Sequence, residues 1–477
     1  AFYDGTPEIP SIINRTQMSI VFNSILSAFS TPIRALYGNV GGLIGKPTSI
    51  FSGALMKGDG KVLRRSFHQY AGFVDSFMKS FEHMKVVYRK AATDPTSMGY
   101  IMRDDIAIKE VQELDMLKQW AKASEANGED GASVLINIFE QQDALARHPW
   151  LRFGANSMSA LDGFNRSMYA VAEAKGRAFD AIQEAGQDMN PETLKQASDE
   201  IYNTFFDSNG MITDDAVDFA TRESALNLDS ELVKGLNQAL KRVPILRSIF
   251  MFPRTQMNNL DLFRKWSPLD AGHIGHQFEG DFAAFHKYSW ENYPTDELEQ
   301  LLNSKGIPLD ANAEINFKTK QAEYKGRVAI GSTMLVGGAL LATQDRIRGN
   351  GHWDTQVQRT RRDLNWQPKT YQGWDGKWYS YEWLGPLGDV LAAGVDLTDN
   401  FDSMSTATFE KMEKKLSFIV GASLTNKSLL QSLEPVQDIL AGNPAAGARW
   451  ISQFTNAMLP MAGIRADLTR LMAPMKR

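Results

Sequence analysis

The residues best placed to do chemistry are His273 and His276, an H-x-x-H pair followed by Glu279, Asp281 and His286. Imidazoles and carboxylates at such spacings can ligate a divalent metal or serve a hydrolase. No H-E-x-x-H framework fixes their geometry, and the segment reads as a solvated, hydrogen-bonded loop in preference to a metal centre. A second group is cationic: Arg346, Arg348, Arg359, Arg361 and Arg362, with Trp366, Trp374 and Trp378 following. Guanidinium groups beside aromatic rings suit a single-strand platform, which makes Arg348, Arg359, Arg361 and Arg362 candidate DNA contacts. Asp345, Asp354 and Asp363 are interleaved with them, so an ion-paired corner is the favoured reading.

Other chemistries find no support. No phosphate loop, dinucleotide fingerprint or nucleophile elbow is present, so no cofactor and no enzymatic activity are expected of this segment. The glycines of Gly38–Gly45 match no phosphate cradle and read as a close helix approach or a bend. The pairs Asp104/Asp105 and Asp214/Asp215 sit where helix starts and solvated faces put carboxylates. There is no cysteine, which excludes disulfides, thiolate metal sites and thiol nucleophiles. With 51 Lys+Arg against 56 Asp+Glu, the net charge of -5 argues against a surface that grips nucleic acid throughout.

The elements that must position these groups are helical. In 477 residues, 43% hydrophobic and 22% charged, the chain has the means to bury a sizeable core. Apolar residues recur at helical spacing through Ile106–Ala123, Ser133–Gln142, Ala155–Glu184, Glu192–Phe206 and Ser230–Leu240. Asp94-Pro95 and Asn190-Pro191 read as N-caps followed by proline in the first turn. The longest apolar run, Val328–Ala342, falls short of the roughly 20 residues a bilayer demands, so it reads first as a core helix whose small residues admit a neighbour. A membrane segment through Val328, Leu335, Val336 and Leu340 is the minority reading. One stretch asks to be a sheet: Tyr371–Trp383 alternates aromatic and polar residues around Asp375-Gly376, the signature of a hairpin with a type I′ turn. The expected fold is therefore mainly α, an extended multi-helix assembly with one small aromatic β-hairpin near 369–383. Joints near Gly53–Gly60, Ser267–Gly280, Gly349–Gln367 and Gly442–Ala446 suggest regions 1–130, 131–270, 271–400 and 401–477.

Five blocks in order resemble segments of the internal-core (ejection) proteins of short-tailed bacteriophages and the related large polyvalent phage proteins. They are Asn23–Gly45, Ala160–Ala174, Val243–Phe263, Ile347–Asp396 and Ser423–Pro474. The third is similar to the family's Pro-Phe-x-Arg-Thr-x-x-Asn element through Pro253, Arg254, Thr255 and Asn259. The fourth carries IRGNGHWD, NWQPKTY and GKWYSYEWLGPLGDV; Asn365 stands where the family has Gly, and Lys369-Thr370 where it has Tyr-Ser. In the first block, Arg34 and Leu36 depart from the pattern.

The resemblance implies a module at or near the C-terminus of a longer polypeptide, carried inside the capsid near the portal. After ejection it would help to build the DNA-translocation channel in the periplasm or inner membrane. The implied partners are copies of itself, other internal virion proteins, portal or tail proteins, phage DNA and the host inner membrane. Assembly contacts are expected at Pro253, Arg254, Thr255, Asn259, Trp374, Trp378, Tyr379, Tyr381 and Trp383. The alternative is a DNA-binding or accessory module of a large virion-packaged RNA polymerase or another multidomain ejected protein.

Overall fold

The structure, a computed structural model, describes residues 30–93, 153–207, 212–224, 253–274, 278–292, 295–307, 312–352 and 355–401, with short pieces at 2–3, 6–7, between 118 and 140, and at 228, 233 and 309. The chain is mainly helical with a small antiparallel sheet, as expected. The helices are α1 (Ser30–Lys57), α2 (Gly60–Asp75), α3 (Phe77–Thr93), α4 (Phe153–Glu184), α5 (Pro191–Thr204) and α6 (Asp215–Ser224). They continue with α7 (Pro253–Lys265), α8 (Asp281–His286), α9 (Asp296–Ser304), α10 (Ala313–Ala342), α11 (Thr355–Asp363) and α12 (Pro386–Phe401). Strands β1 (Phe2–Tyr3) and β2 (Thr6–Pro7) pair, as do β3 (His273–Ile274) and β4 (Phe278–Glu279). A three-stranded sheet orders β5 (Ile347–Arg348), β6 (Thr370–Gln372) and β7 (Trp378–Ser380).

Local chemistry explains several boundaries. Asn190 accepts the amide of Thr193 at 2.8 Å ahead of Pro191, so the expected cap and first-turn proline do open α5. Asp59 accepts from Lys61 and Val62 and opens α2. The expected joint at Gly53–Gly60 is narrower than read: α1 runs to Lys57 and the chain turns only at Gly58, whose φ is +69°. Helices α4 and α5 match the predicted Ala155–Glu184 and Glu192–Phe206. Most of Ile106–Ala123, Ser133–Gln142 and Ser230–Leu240 lies outside the described residues, as do the Asp94-Pro95 start and Asp104/Asp105.

The chain divides into two compact units. The first comprises Ala1–Leu36, Met78–Phe164 and Pro435–Arg477; the second comprises Tyr37–Phe77 and Asn165–Glu434. In the first, Val87 packs where a side chain on Gly163 would stand. In the second, Phe285, Leu298, Leu302, Ile307, Phe317 and Tyr324 form one apolar cluster, and Leu262, Phe263, Trp266, Val390 and Ala393 form another. Burial of such side chains supplies the main driving force for folding.

The core of the second unit is also heavily charged. Glu223 on α6 receives both terminal nitrogens of Arg327, at 3.1 and 2.7 Å, and the ammonium of Lys265 at 2.8 Å. Lys265 reaches Asp261 at 3.0 Å and Asp281 at 3.3 Å, and Asp281 accepts from Lys305 at 2.7 Å. Arg327 also pairs with Glu323 one turn earlier on α10. A second set joins Arg65 of α2 to Glu173 at 2.9 Å and Asp180 at 3.3 Å. From there Arg177 bridges Glu173 at 3.0 Å to Asp214, which it grips with two nitrogens at 2.8 and 3.1 Å. Asp214 also caps α6 by accepting from Val217 at 2.9 Å, the helix-start role read from the Asp214/Asp215 pair. Ions this deep repay their desolvation only when paired and hydrogen-bonded.

Glycine sets the helix crossings of this unit. A methyl on Gly338 of α10 would strike the Leu391 carbonyl of α12, and one on Gly394 of α12 would strike that of Leu335. The same reciprocity holds between Gly53 of α1 and Ala322, and between Gly326 of α10 and Ser49. So α10 meets α1 with its first half and α12 with its second, backbone against backbone. Gly331, at the junction of the halves, faces the Trp266 carbonyl. The small-residue reading of Val328–Ala342 holds for Gly331 and Gly338, while Gly337 has open space beside it.

Two outcomes are expected. Gly338→Ala should lower unfolding stability by about 1–3 kcal/mol or more through backbone collision, whereas Gly337→Ala should raise it by up to about 1 kcal/mol through helix propensity; urea melts of the two variants check this. Arg65 and Arg177 hold Glu173 down to about 2 against its burial. Because this folded value lies below that of the unfolded chain, its contribution is complete above about pH 4.5 and is lost as pH falls toward 2. Acid titration followed by circular dichroism should show a shallower loss over that window in Glu173→Gln, which starts from lower stability at pH 7.

Candidate interaction surface

The aromatic ribbon is where structure and sequence reading meet most fully. Strands β6 and β7 pair Thr370 with Ser380, Tyr371 with Tyr379 and Gln372 with Trp378, as the alternating pattern implies. The turn differs from expectation. Only Gly376 has a positive φ, +76°, and its amide donates to the Gly373 carbonyl at 3.0 Å. Trp374, Asp375 and Gly376 thus form a three-residue loop, a type I turn closed by a left-handed glycine, in place of the two-residue type I′ turn. The Asp375 carboxylate fixes it by accepting from the Lys377 amide at 3.1 Å and the Tyr379 hydroxyl at 2.7 Å, which leaves it more acidic than usual.

The ribbon is not left as a lone hairpin. β5 adds a third strand, pairing Ile347 with Tyr371 and Arg348 with Thr370, from the basic segment just ahead of the expected Gly349–Gln367 joint. Three ties fasten the sheet to its surroundings. The Tyr381 hydroxyl donates to the Arg348 carbonyl at 2.7 Å, Lys369 reaches Asp389 of α12 at 2.6 Å, and Asp396 of α12 accepts from Asn350 and from the Gly351 amide at 2.8 and 3.1 Å. Asn365 and Lys369 stand at φ +60° and +50°. Asparagine tolerates the left-handed region well, so Asn365 keeps the conformation that a glycine would take there.

Two of the arginines lie on this ribbon's rings and a third on Trp366, ahead of it in the chain. Arg348 sits 3.6 Å from the centre of the Trp378 ring, Arg346 5.6 Å from Trp374, and Arg361 5.9 Å from Trp366. Burial and the nearby Arg361 make Arg348 less basic than usual. Arg361 also faces Asp399 at 3.8 Å. The corner therefore combines cation–π stacking with ion pairing. The side chains of Arg359 and Arg362, on α11, fall outside the described residues.

No family model, no curated protein and no solved structure matches this chain.

The other expected contacts divide by exposure. Trp374, at the ribbon tip, is 99% exposed and Trp383 is 50% exposed; Tyr379 is also exposed and Trp378 half-buried. Tyr381 must be withdrawn from the assembly set, because it is 2% exposed and packs with Ala342, Ile347, Ala392 and Val395. Pro253 begins α7 and Asn259 lies half-buried in it, while the side chains of Pro253, Arg254 and Thr255 are outside the described residues. Val328, Leu335, Val336 and Leu340 all lie on α10. Leu335 packs on the Trp266 cluster and Val328 is half-buried, whereas Val336 and Leu340 are exposed. Among the described residues no helix is long and apolar enough to cross a membrane, since the first half of α10 carries the charged core.

The histidine segment is more ordered than the loop expected. His273 and Glu279 are opposed across β3 and β4, and α8 runs from Asp281 to His286. His286 donates from Nδ1 to the Phe282 carbonyl at 2.9 Å and stacks on that residue's ring, and Asp281 is committed to lysines. Among the described residues no three His, Asp or Glu side chains gather as metal ligands; His276 is not described.

The sequence reading missed one apolar surface. Phe67, Tyr70 and Val74 are exposed along one face of α2, and Phe51 and Leu55 along α1. Their helical spacing was available as a signal, but apolar residues on that pattern ordinarily face a core. A test of the ribbon's anchorage follows. Tyr381→Phe deprives the Arg348 carbonyl of its donor and should cost about 1–3 kcal/mol in chemical unfolding, whereas Trp374→Ala should stay within about 0.5 kcal/mol of the native protein.

Proposed function

We propose that this chain is a structural component of a short-tailed phage virion, ejected with the genome to help form the DNA-translocation channel across the host cell envelope. The observation that carries the reading is the outward aromatic surface of the ribbon, with Trp374, Tyr371, Tyr379 and Trp383 exposed on a sheet anchored at its base. Rigid aromatic side chains held clear of their own core favour protein–protein contact. The apolar faces of α1 and α2 support the same reading, since exposed apolar patches mark interaction sites. The five ordered blocks of resemblance supply the phage context. In this reading the protein is stored inside the capsid near the portal and later resides in the periplasm or inner membrane. It packs there against copies of itself, other internal virion proteins and portal or tail components, and it acts without catalysis.

A DNA-contacting role, as a module of a larger ejected protein, is favoured by one observation: Arg346, Arg348 and Arg361 lie over tryptophan rings, the pairing that serves stacked single strands. Purified protein imaged with lipid should form rings or tubes, and Trp374→Ala should abolish them while leaving helix content unchanged. Unaltered assembly in that variant would reject the ribbon as the contact. Single-strand binding that weakens steeply with salt, and is lost in Arg348→Ala, would favour the DNA-contacting role instead.

A further inference from the structure

Within the second unit, α1, α2, α4, α6 and α10 line a partly open cavity of about 70 Å³. Its walls are apolar at Ile50, Phe73, Ala172, Val217 and Ile307, and polar at Lys46, Arg65, Gln69, Glu173, Lys320 and Glu323. The acidic groups are already engaged. Glu173 holds Arg65, Arg177 and the Gln69 amide, which donates to it at 2.9 Å. Glu323 holds Lys320 at 3.0 Å and Arg327. Lys46 is different. Its ammonium lies 5.2 Å from the centre of the Tyr169 ring, and it makes no ion pair with a described carboxylate.

Arg65 and Gln69, on the same walls, carry further polar atoms without a hydrogen-bond partner. Arg65, 1% exposed, uses Nη2 on Glu173 and faces Asp180 with Nε, but Nη1 has no acceptor. Gln69, 5% exposed, donates through Nε2 but nothing donates to its Oε1. Buried polar atoms are ordinarily paired, and leaving them open is costly. The cavity thus presents a cation and a guanidinium donor seeking an anion, one acceptor seeking a hydroxyl or amine, and an apolar wall for carbon. Several waters would fit, yet water supplies no counter-charge to Lys46 and leaves the apolar wall without a carbon partner.

We infer that this cavity is a binding site for a small organic carboxylate bearing an adjacent hydroxyl or amino group, its carboxylate held by Lys46 and Arg65 and its donor by Gln69. The inference does not depend on the ejection reading, and it gives this core a ligand of its own. Burial, reinforced by Lys320, pushes the Lys46 ammonium down to about 8. The groups facing it are Lys320, Glu323, Glu223 and Arg327 from the α6 and α10 side and Glu173 and Arg65 from the other. Glu173, Glu223 and Glu323 are all held more acidic than usual, so they stay ionised at neutral and alkaline pH. Lys46 is thus the group whose charge changes between pH 6.5 and 9.5 and would switch the site.

The test is calorimetric and NMR titration of the full chain with glycolate, acetate, inorganic phosphate and methylammonium as separate probes at constant ionic strength. A ligand of so few atoms should bind with Kd of roughly millimolar order. Glycolate should saturate one site at pH 6.5, acetate more weakly, and methylammonium not at all. Affinity for glycolate should fall at least tenfold at pH 9.5 and at least tenfold in Lys46→Met, a variant expected to keep or raise the thermal midpoint because it removes a half-buried charge that has no ion pair among the described residues. Absence of saturable glycolate binding, equal binding at both pH values, or binding undiminished in a folded Lys46→Met would overturn the proposal. Preference for phosphate over glycolate would overturn the assignment to carboxylates. Should Lys46→Met fail to fold, the pH comparison on the unaltered protein decides alone.

Discussion

Mutual neutralisation of charge along α10 is the condition on which the second unit stands. Its first half places Glu323 and Arg327 in the core, where each would be prohibitively costly alone. Glu223 from α6 and Lys265 from α7 arrive from distant parts of the chain to balance them. Lys265 passes the account on to Asp281, at the start of α8. Four helices are thereby bound to one axis by interactions that tolerate little displacement, since any partner that moves away leaves a bare ion behind. Directional pairing of this kind specifies which helix lies where, a task that apolar packing performs loosely.

The second half of α10 meets its neighbour by the opposite means. There the contact is bare backbone, with Gly338 and Gly394 each admitting the other helix's carbonyl. Close approach brings α12 against the Trp266 cluster and sets Asp389 and Asp396 facing the sheet. The ribbon is therefore positioned indirectly: charge places α10, glycine places α12, and α12 holds the strands. The cavity lined by Lys46 lies on the charged half, where the demand for paired ions leaves one ammonium unmatched.

How much of this was legible in the sequence depended on the range of the interaction. The N-cap at Asn190 and the hairpin around Gly376 are set by residues within a few positions of each other, and both could be read. The type of turn could not, because Trp374 and Gly373 decide it together with Asp375, whose carboxylate bonds forward to Lys377 and Tyr379. The third strand was hidden, since Ile347-Arg348 is too short for alternation to register and finds its partner more than twenty residues on. The ion network was invisible for a stronger reason. Arg65 and Glu173 stand 108 positions apart, and Arg327 and Glu223 stand 104 apart. A charged stretch such as 316–327 reads as solvent-facing until its partners are known. The long apolar run beside it attracted notice instead, and only part of it is buried.

The ribbon's fastening has a mechanical consequence. Its base is clamped at Lys369, Asn350 and the Arg348 carbonyl, all of them held by α12 or by the segment leading into it. The tip, by contrast, is secured by its own short turn and by Arg346 over the Trp374 ring. A load applied at Trp374 is therefore not absorbed by bending at a hinge. It travels down two antiparallel strands into α12, and from there, across a crossing with no side-chain cushion, into α10. The protruding sheet behaves as a handle joined stiffly to its frame, and whatever grasps the tip takes hold of the core.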